Sequence, residues 1–63
     1  MSIKGRLNAY RAAVDRANRM KQSICIVQIG QDEYVLWREI TISALPYQHY
    51  RIIATIRTRD DIR

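Results

Sequence analysis

The hydrophobic pattern of this sequence changes once, near Gln22-Ser23, and that change limits the fold more than any other feature. Before it, apolar residues recur at three- and four-residue spacing, which is typical of an amphipathic helix. After it, short β-branched stretches alternate with polar gaps, which is typical of strands. We therefore predict one N-terminal helix followed by strands.

The predicted helix covers residues about 3–22, and several alanines raise its helix propensity. At about 100° per residue, its apolar side chains gather on one side and its charged and amide side chains on the other. We expect the apolar side to face the core. That side comprises Ile3, Leu7, Tyr10, Val14 and Ala17, widened by Ala9, Ala13 and Met20.

Three strands are predicted after the helix, at about 23–29, 34–42 and 50–57. A polar turn containing Gly30 separates the first two, and a loop containing Pro46 separates the last two. Short turns favour antiparallel neighbours. The predicted fold is α+β, with the helix packed on a three-stranded antiparallel meander in two layers (α-β-β-β).

In the second predicted strand, the apolar side chains first occupy odd positions, at Val35 and Trp37, and then even positions, at Ile40 and Ile42. A bulge at Arg38-Glu39 would bring all four to one face, because one extra residue restores the alternation. In the alternative, Leu36 faces the core with Ile40 and Ile42, while Arg38 lies at the rim.

The chain is short for a stable domain, and residues 1–63 are predicted to form a single one, with a tail at 58–63 that frays. Domains of this size usually add a disulfide, a metal or a partner chain. Cys25 and His49 are the only residues of their types, so neither a disulfide nor a four-ligand zinc site can form within one chain. We therefore expect no metal and no cofactor, and either self-association or a well-packed monomer.

The first predicted strand is apolar on both faces, whereas one helix covers only one face of a sheet. An exposed apolar sheet face usually marks a contact surface, and Ile53 is expected to add to it. We predict that a second copy, forming a homodimer, or another protein docks there, through Ile24 and Ile26 or through Cys25, Val27 and Ile29. The candidate interface residues are Ile24, Ile26, Ile53 and Arg51.

The sequence is basic, with a formal net charge of +5. Arginine and lysine side chains contact nucleic-acid phosphates, and the candidate contacts on the predicted helix are Lys4, Arg11, Arg16 and Arg19. The alternative is a solvated face on which Asp15 pairs with Arg11 or Arg19. Tyr47 and Tyr50 either stack on unpaired bases or cap the core.

No catalytic arrangement is recognisable. Cys25 is expected to be a small buried hydrophobe and His49 a loop residue. The acidic pairs Asp32-Glu33 and Asp60-Asp61 lie in a turn and in the tail, where nothing desolvates a general acid. We predict that the protein is not an enzyme and binds no small-molecule substrate.

The sequence also predicts where the protein works. No apolar run approaches the roughly 18–20 residues of a membrane span. The first residues lack the apolar region of a signal peptide, and the lone thiol suits a reducing compartment. We expect a cytoplasmic protein with no membrane partner.

Two functions are compatible with these features. The first is a small protein-interaction module (an adaptor, inhibitor or assembly subunit) that uses its apolar sheet face and associates with itself. The alternative is an accessory protein that contacts DNA or RNA through the basic helix face. The first is preferred because net charge alone is a weak argument for nucleic-acid binding.

Overall fold

A computed structural model describes residues 2–57 and shows one helix on a four-stranded antiparallel sheet, which confirms the α+β class. The predicted tail, 58–63, lies outside the described residues. In chain order the elements are β1 (Ile3–Lys4), α1 (Arg6–Met20), β2 (Ile24–Gln28), β3 (Glu33–Arg38), a 3-10 segment (Glu39–Ala44) and β4 (Arg51–Ile56).

The strand order is β1-β3-β2-β4, so the predicted three-stranded meander is wrong. β2 and β3 form the expected hairpin, but β4 pairs with β2 rather than with β3. β1, which the sequence pattern did not predict, pairs with the first two residues of β3. The reason for the altered order is the 3-10 segment, which leads the chain from the end of β3 to the opposite edge of the sheet.

The change of parity after Trp37 is the end of β3, so the bulge at Arg38-Glu39, one of the two alternatives, is wrong. The other alternative holds only for Leu36, which faces the helix-side core, because Ile42 packs on the opposite face of the sheet. The indole Nε1 of Trp37 donates a hydrogen bond to the carbonyl oxygen of Thr41 at 2.7 Å. The Thr41 hydroxyl donates to the carbonyl oxygen of Arg38 at 3.2 Å. These two bonds stabilise the turn away from the sheet. Ile40 points outward and is 73% exposed.

A bulge does occur in β4. Ile26 is opposite Ala54 and Val27 is opposite Ile52, so Ile53 is the extra residue. Ile53 consequently packs with Ala54 against the helix-side core, and its expected place on the uncovered face is wrong. A bulge alters which residues share a face because the side-chain period of a strand is two.

The helix is shorter than predicted, because backbone geometry interrupts it at both ends. Gly5 precedes it with φ of 92°, a left-handed value that favours glycine, and Lys21 follows it with φ of 56°. Ile3 therefore belongs to a strand, and it did not belong in the helical pattern.

The helix faces the sheet with its alanines. Ala9, Ala13 and Ala17 are buried against the sheet, whereas Leu7 and Val14 are exposed. The prediction that Leu7, Val14 and Met20 face the core is wrong. Alanines four residues apart form a flat stripe that lets the helix backbone approach the sheet closely.

Candidate functional site

The far face of the sheet, which is the face away from α1, is covered by the chain itself except at Ile52, which lies opposite Val27 and is 44% exposed. Cys25, Val27 and Val35 are buried there. Their cover comes from the 3-10 segment and the loop after it, through Ile42, Leu45 and Tyr47. Tyr47 therefore packs on a core, as one of the two predicted alternatives required, while Tyr50 is exposed.

The predicted interface residues do not form one surface. Ile24 and Ile26 have no exposed area, because they lie beneath α1. Ile53 is partly buried on the same side, and only Arg51, at the start of β4, is exposed. A partner could reach the two isoleucines only by displacing the helix. The apolar sheet face that predicted a docking site is thus part of the core.

The predicted nucleic-acid contacts are all exposed, but they do not share one face. Lys4 lies on β1, and Arg19 forms an ion pair with Asp15, as the alternative interpretation of the helix predicted. Arg11 lies beside Tyr10 and Val14 on the outer side of the helix. Arg16 lies on another side, next to β3.

The positive charge of the described chain is nevertheless concentrated in one segment. Residues 4–21 contain six basic side chains and one acidic side chain. Residues 22–57 contain three of each sign and are neutral overall. The net charge of +5 therefore belongs to β1, α1 and the residues that flank them.

Large apolar side chains remain on the outside of the helix. Leu7 is 64% exposed, Val14 is 44% exposed, and Tyr10 between them is half-buried. We call these three residues the outer stripe, because their spacing of three and four residues places them in one row. The signal was present in the sequence, where the same spacing predicted a core face.

A second surface lies along the open part of β3. The Glu39 N–H donates to the Ser23 carbonyl oxygen at 3.0 Å, so the backbone groups of Glu39 point toward β2. Successive residues of an antiparallel strand direct their backbone N–H and C=O groups alternately to one neighbouring strand and to the other. By that alternation, Leu36 and Arg38 direct their backbone N–H and C=O groups away from β2. β1 pairs only as far as Tyr34, and Ser2, which precedes β1, lines the same edge without forming a strand there. Within residues 2–57, therefore, no strand pairs with Leu36 or Arg38.

Two adjoining clefts, of about 280 and 310 Å³, follow this open edge. We call them together the β3 cleft. Nothing in the sequence pattern predicted it, because it depends on how short β1 is and on which side of the helix faces β3. Its principal lining residues are Arg16, Met20, Leu36, Trp37, Arg38 and Tyr47.

The remaining reactive side chains do not assemble a site within the described chain. Cys25 is buried, with its sulfur 3.5 Å from the Thr55 hydroxyl oxygen, whereas His49 is exposed. In residues 2–57 no group of three or more histidine, cysteine or acidic side chains could hold a metal ion. Asp60-Asp61 lies outside the described residues.

Comparisons with protein families, with curated proteins and with solved structures found no match to this chain. None of the helices in the described part of the chain combines the length and the apolar character needed to cross a bilayer. The candidate sites are therefore the outer stripe and the β3 cleft, and the case for each rests on this molecule's own geometry.

Proposed function

We propose that the protein is a small, non-enzymatic protein-interaction module that docks through the outer stripe of α1, with a second copy as its first partner. The observation that supports this proposal is the orientation of the helix. It places alanines against the sheet and leaves Leu7 and Val14 in solvent. The docking surface is thus the helix, rather than the sheet face that the sequence indicated.

Burial of the outer stripe would add apolar contact area that the monomer lacks. Area removed from water contributes about 25 cal/mol per Å². In a domain of this size, where core burial and chain entropy nearly balance, that contribution is significant. A second helix packed on the row of Leu7, Tyr10 and Val14 is the simplest way to provide it.

The charge of the same segment opposes a homodimer. Arg11 lies beside Val14, and the one acidic side chain of residues 4–21, Asp15, already pairs with Arg19. Two helices packed through the stripe therefore bring two positively charged segments close together. Added salt screens this repulsion more than it affects apolar contact. Self-association through the outer stripe should therefore strengthen as the salt concentration rises.

The concentration of charge in residues 4–21 favours a second candidate function, nucleic-acid binding. Its contacts would be made by Lys4 and Arg11, with Arg16 and Arg19 on neighbouring sides of the helix. Binding of this kind releases counterions, so the logarithm of the affinity falls with the logarithm of salt concentration, with a slope of about −0.9 per phosphate contacted on B-DNA. The two functions thus predict opposite effects of salt.

The test is molar mass by light scattering after size-exclusion chromatography, at low and moderate salt, with and without a short mixed-sequence DNA duplex. We expect a monomer–dimer equilibrium that shifts toward dimer with salt. Leu7→Ser should shift it toward monomer, because it removes an apolar side chain without changing charge. Arg11→Gln should leave the dimer intact or strengthen it.

Ile40→Ser is the matched control, because Ile40 is even more exposed than Leu7 but lies on the 3-10 segment. Equal loss of dimer in Leu7→Ser and Ile40→Ser would overturn docking through the outer stripe. A monomer under all conditions would overturn self-association. A duplex complex that Arg11→Gln weakens, that Leu7→Ser leaves unchanged and that salt dissociates would establish the second candidate instead.

A further inference from the structure

We propose that the β3 cleft is a strand-addition site for an extended peptide segment of a protein partner that carries carboxylates at alternate positions. The proposal is independent of the outer stripe, because it concerns another surface. It rests on three features of the cleft: backbone groups of β3 that no strand within residues 2–57 pairs with, two arginines without ion-pair partners in the same residues, and apolar walls.

The backbone of β3 supplies the first feature. Leu36 presents its N–H and C=O groups, and Arg38 presents its N–H group, along the line that β1 occupies beside Tyr34. The Arg38 carbonyl oxygen already accepts from the Thr41 hydroxyl and retains one further lone pair. An extended chain placed on that line beyond Ser2 would run beside β3 in the direction of β1 and bond to both residues. Main-chain bonding of this kind provides affinity in strand addition, and alternate side chains provide specificity.

The helix side of the cleft supplies the second feature. Arg16 on α1 and Arg38 on β3 both line it, together with Met20. Neither arginine forms an ion pair within the described residues, whereas Arg19 and Arg57 each pair with a carboxylate. Side chains of an added strand that point toward the helix would meet these two guanidinium groups, which bind carboxylates through paired N–H donors.

The far side of the cleft supplies the third feature. Val35, Trp37 and Tyr47 line it with apolar surface. Successive side chains of a strand point to opposite faces. A fitting segment therefore alternates carboxylate residues, which point toward the helix, with apolar residues, which point toward Trp37.

The probe is an acetylated and amidated octapeptide of alternating Glu and Val, labelled with fluorescein for anisotropy. Because Trp37 is the protein's one tryptophan, its emission reports on the cleft directly. We expect saturable binding that shifts this emission. The same peptide with Lys in place of Glu should bind about tenfold more weakly or not at all, because like charges then face each other.

Variants locate the site. Arg16→Gln and Arg38→Gln are each expected to weaken binding roughly twofold to fivefold, as for partly exposed ion pairs. Arg11→Gln is the matched control, because it removes the same charge from another side of the helix, and it should leave binding within about twofold. Equal losses in all three variants would overturn the site and leave only attraction to net charge.

Methylation of the peptide backbone tests strand addition itself. Residues opposite Leu36 and Arg38 are the Glu residues, and their N–H groups must point toward β3. N-methyl groups on Glu should therefore weaken binding about tenfold, whereas N-methyl groups on Val should be tolerated. Equal effects of the two methylation patterns would overturn the proposal. So would a dimer of the free protein that the peptide dissociates, because the edge would then belong to a second copy.

Discussion

The two faces of the sheet are buried by different kinds of structure. On one face, the 15-residue helix contributes three buried alanines. On the other, a short 3-10 segment and its following loop contribute Ile42, Leu45 and Tyr47. The fully buried side chains that the regular element supplies are thus small, with Tyr10 packed at their edge, whereas the irregular element supplies large ones.

The helix and the 3-10 segment with its loop therefore stabilise their faces of the sheet in different ways. The helix stabilises its face by close approach, so the apolar volume comes from the sheet, chiefly from Ile24 and Ile26. The far face depends on a few large side chains that each remain half-buried. We expect the helix side to be the more sensitive face, and the far side to be the more tolerant one.

The largest effect is expected from truncating the two neighbouring core residues of β2, one for each face. Ile26 faces the helix, Val27 faces the irregular cover, and both are fully buried. Ile26→Ala should cost about 2–5 kcal/mol of unfolding free energy, from lost transfer energy and the cavity left behind. Val27→Ala should cost about 2 kcal/mol, because it removes fewer methyl groups.

Urea unfolding followed by tryptophan fluorescence measures both losses. The larger one approaches the whole stability expected of 63 residues, about 3–9 kcal/mol, so a partly unfolded Ile26→Ala protein agrees with the prediction. A loss below about 0.5 kcal/mol for Val27→Ala would mean that the far face is open to solvent. That result would restore the sheet face as a docking surface.

Local patterns explain what the sequence predicted correctly. The helix and the β2–β3 hairpin follow from residue spacing and from the polar turn between the strands. β1 was missed because a two-residue strand has no periodicity to detect. The order of the strands was missed because it depends on where the chain goes after Arg38, and a change of parity is compatible with either a bulge or the end of a strand.

The candidate sites were likewise predictable only where a local pattern of residues determines them. The exposure of Arg11 was predictable from the helical pattern, and so was the row that became the outer stripe. That this row faces solvent was not predictable, because alanines and larger apolar residues occupy one broad arc and only packing decides between them. The β3 cleft depends on long-range pairing, which no local pattern of residues such as Arg16 or Trp37 encodes.

A smaller effect is expected from the cover of the far face. Leu45→Ala should cost about 1–2 kcal/mol, because Leu45 is only partly buried against the far-side core. Ile40→Ala, in the adjoining 3-10 segment, is the control and should stay within about 0.5 kcal/mol, because Ile40 is exposed. Urea unfolding distinguishes the two variants. Equal losses would contradict the prediction, because the contact of Leu45 with the sheet would then contribute no more than an exposed side chain does.

The smallest effect is expected from the ion pair between Arg57, which follows β4, and Glu39, which begins the 3-10 segment. Arg57 donates to both carboxylate oxygens of Glu39, at 3.0 and 2.9 Å, and both side chains are partly exposed. Glu39→Gln should cost about 0.5–1 kcal/mol at low salt, because bidentate geometry gives the upper part of the range for exposed pairs.

Asp15→Asn is the matched comparison, because its pair with Arg19 lies within α1 and joins no separate elements. It should cost about 0.3–0.5 kcal/mol. Both losses should shrink as salt screens the charges, and urea, which is uncharged, allows salt to be varied during the measurement. If the Glu39 variant loses no more than the Asp15 variant at low salt, the ion pair does not stabilise the cover, and the far face is held by apolar contact alone.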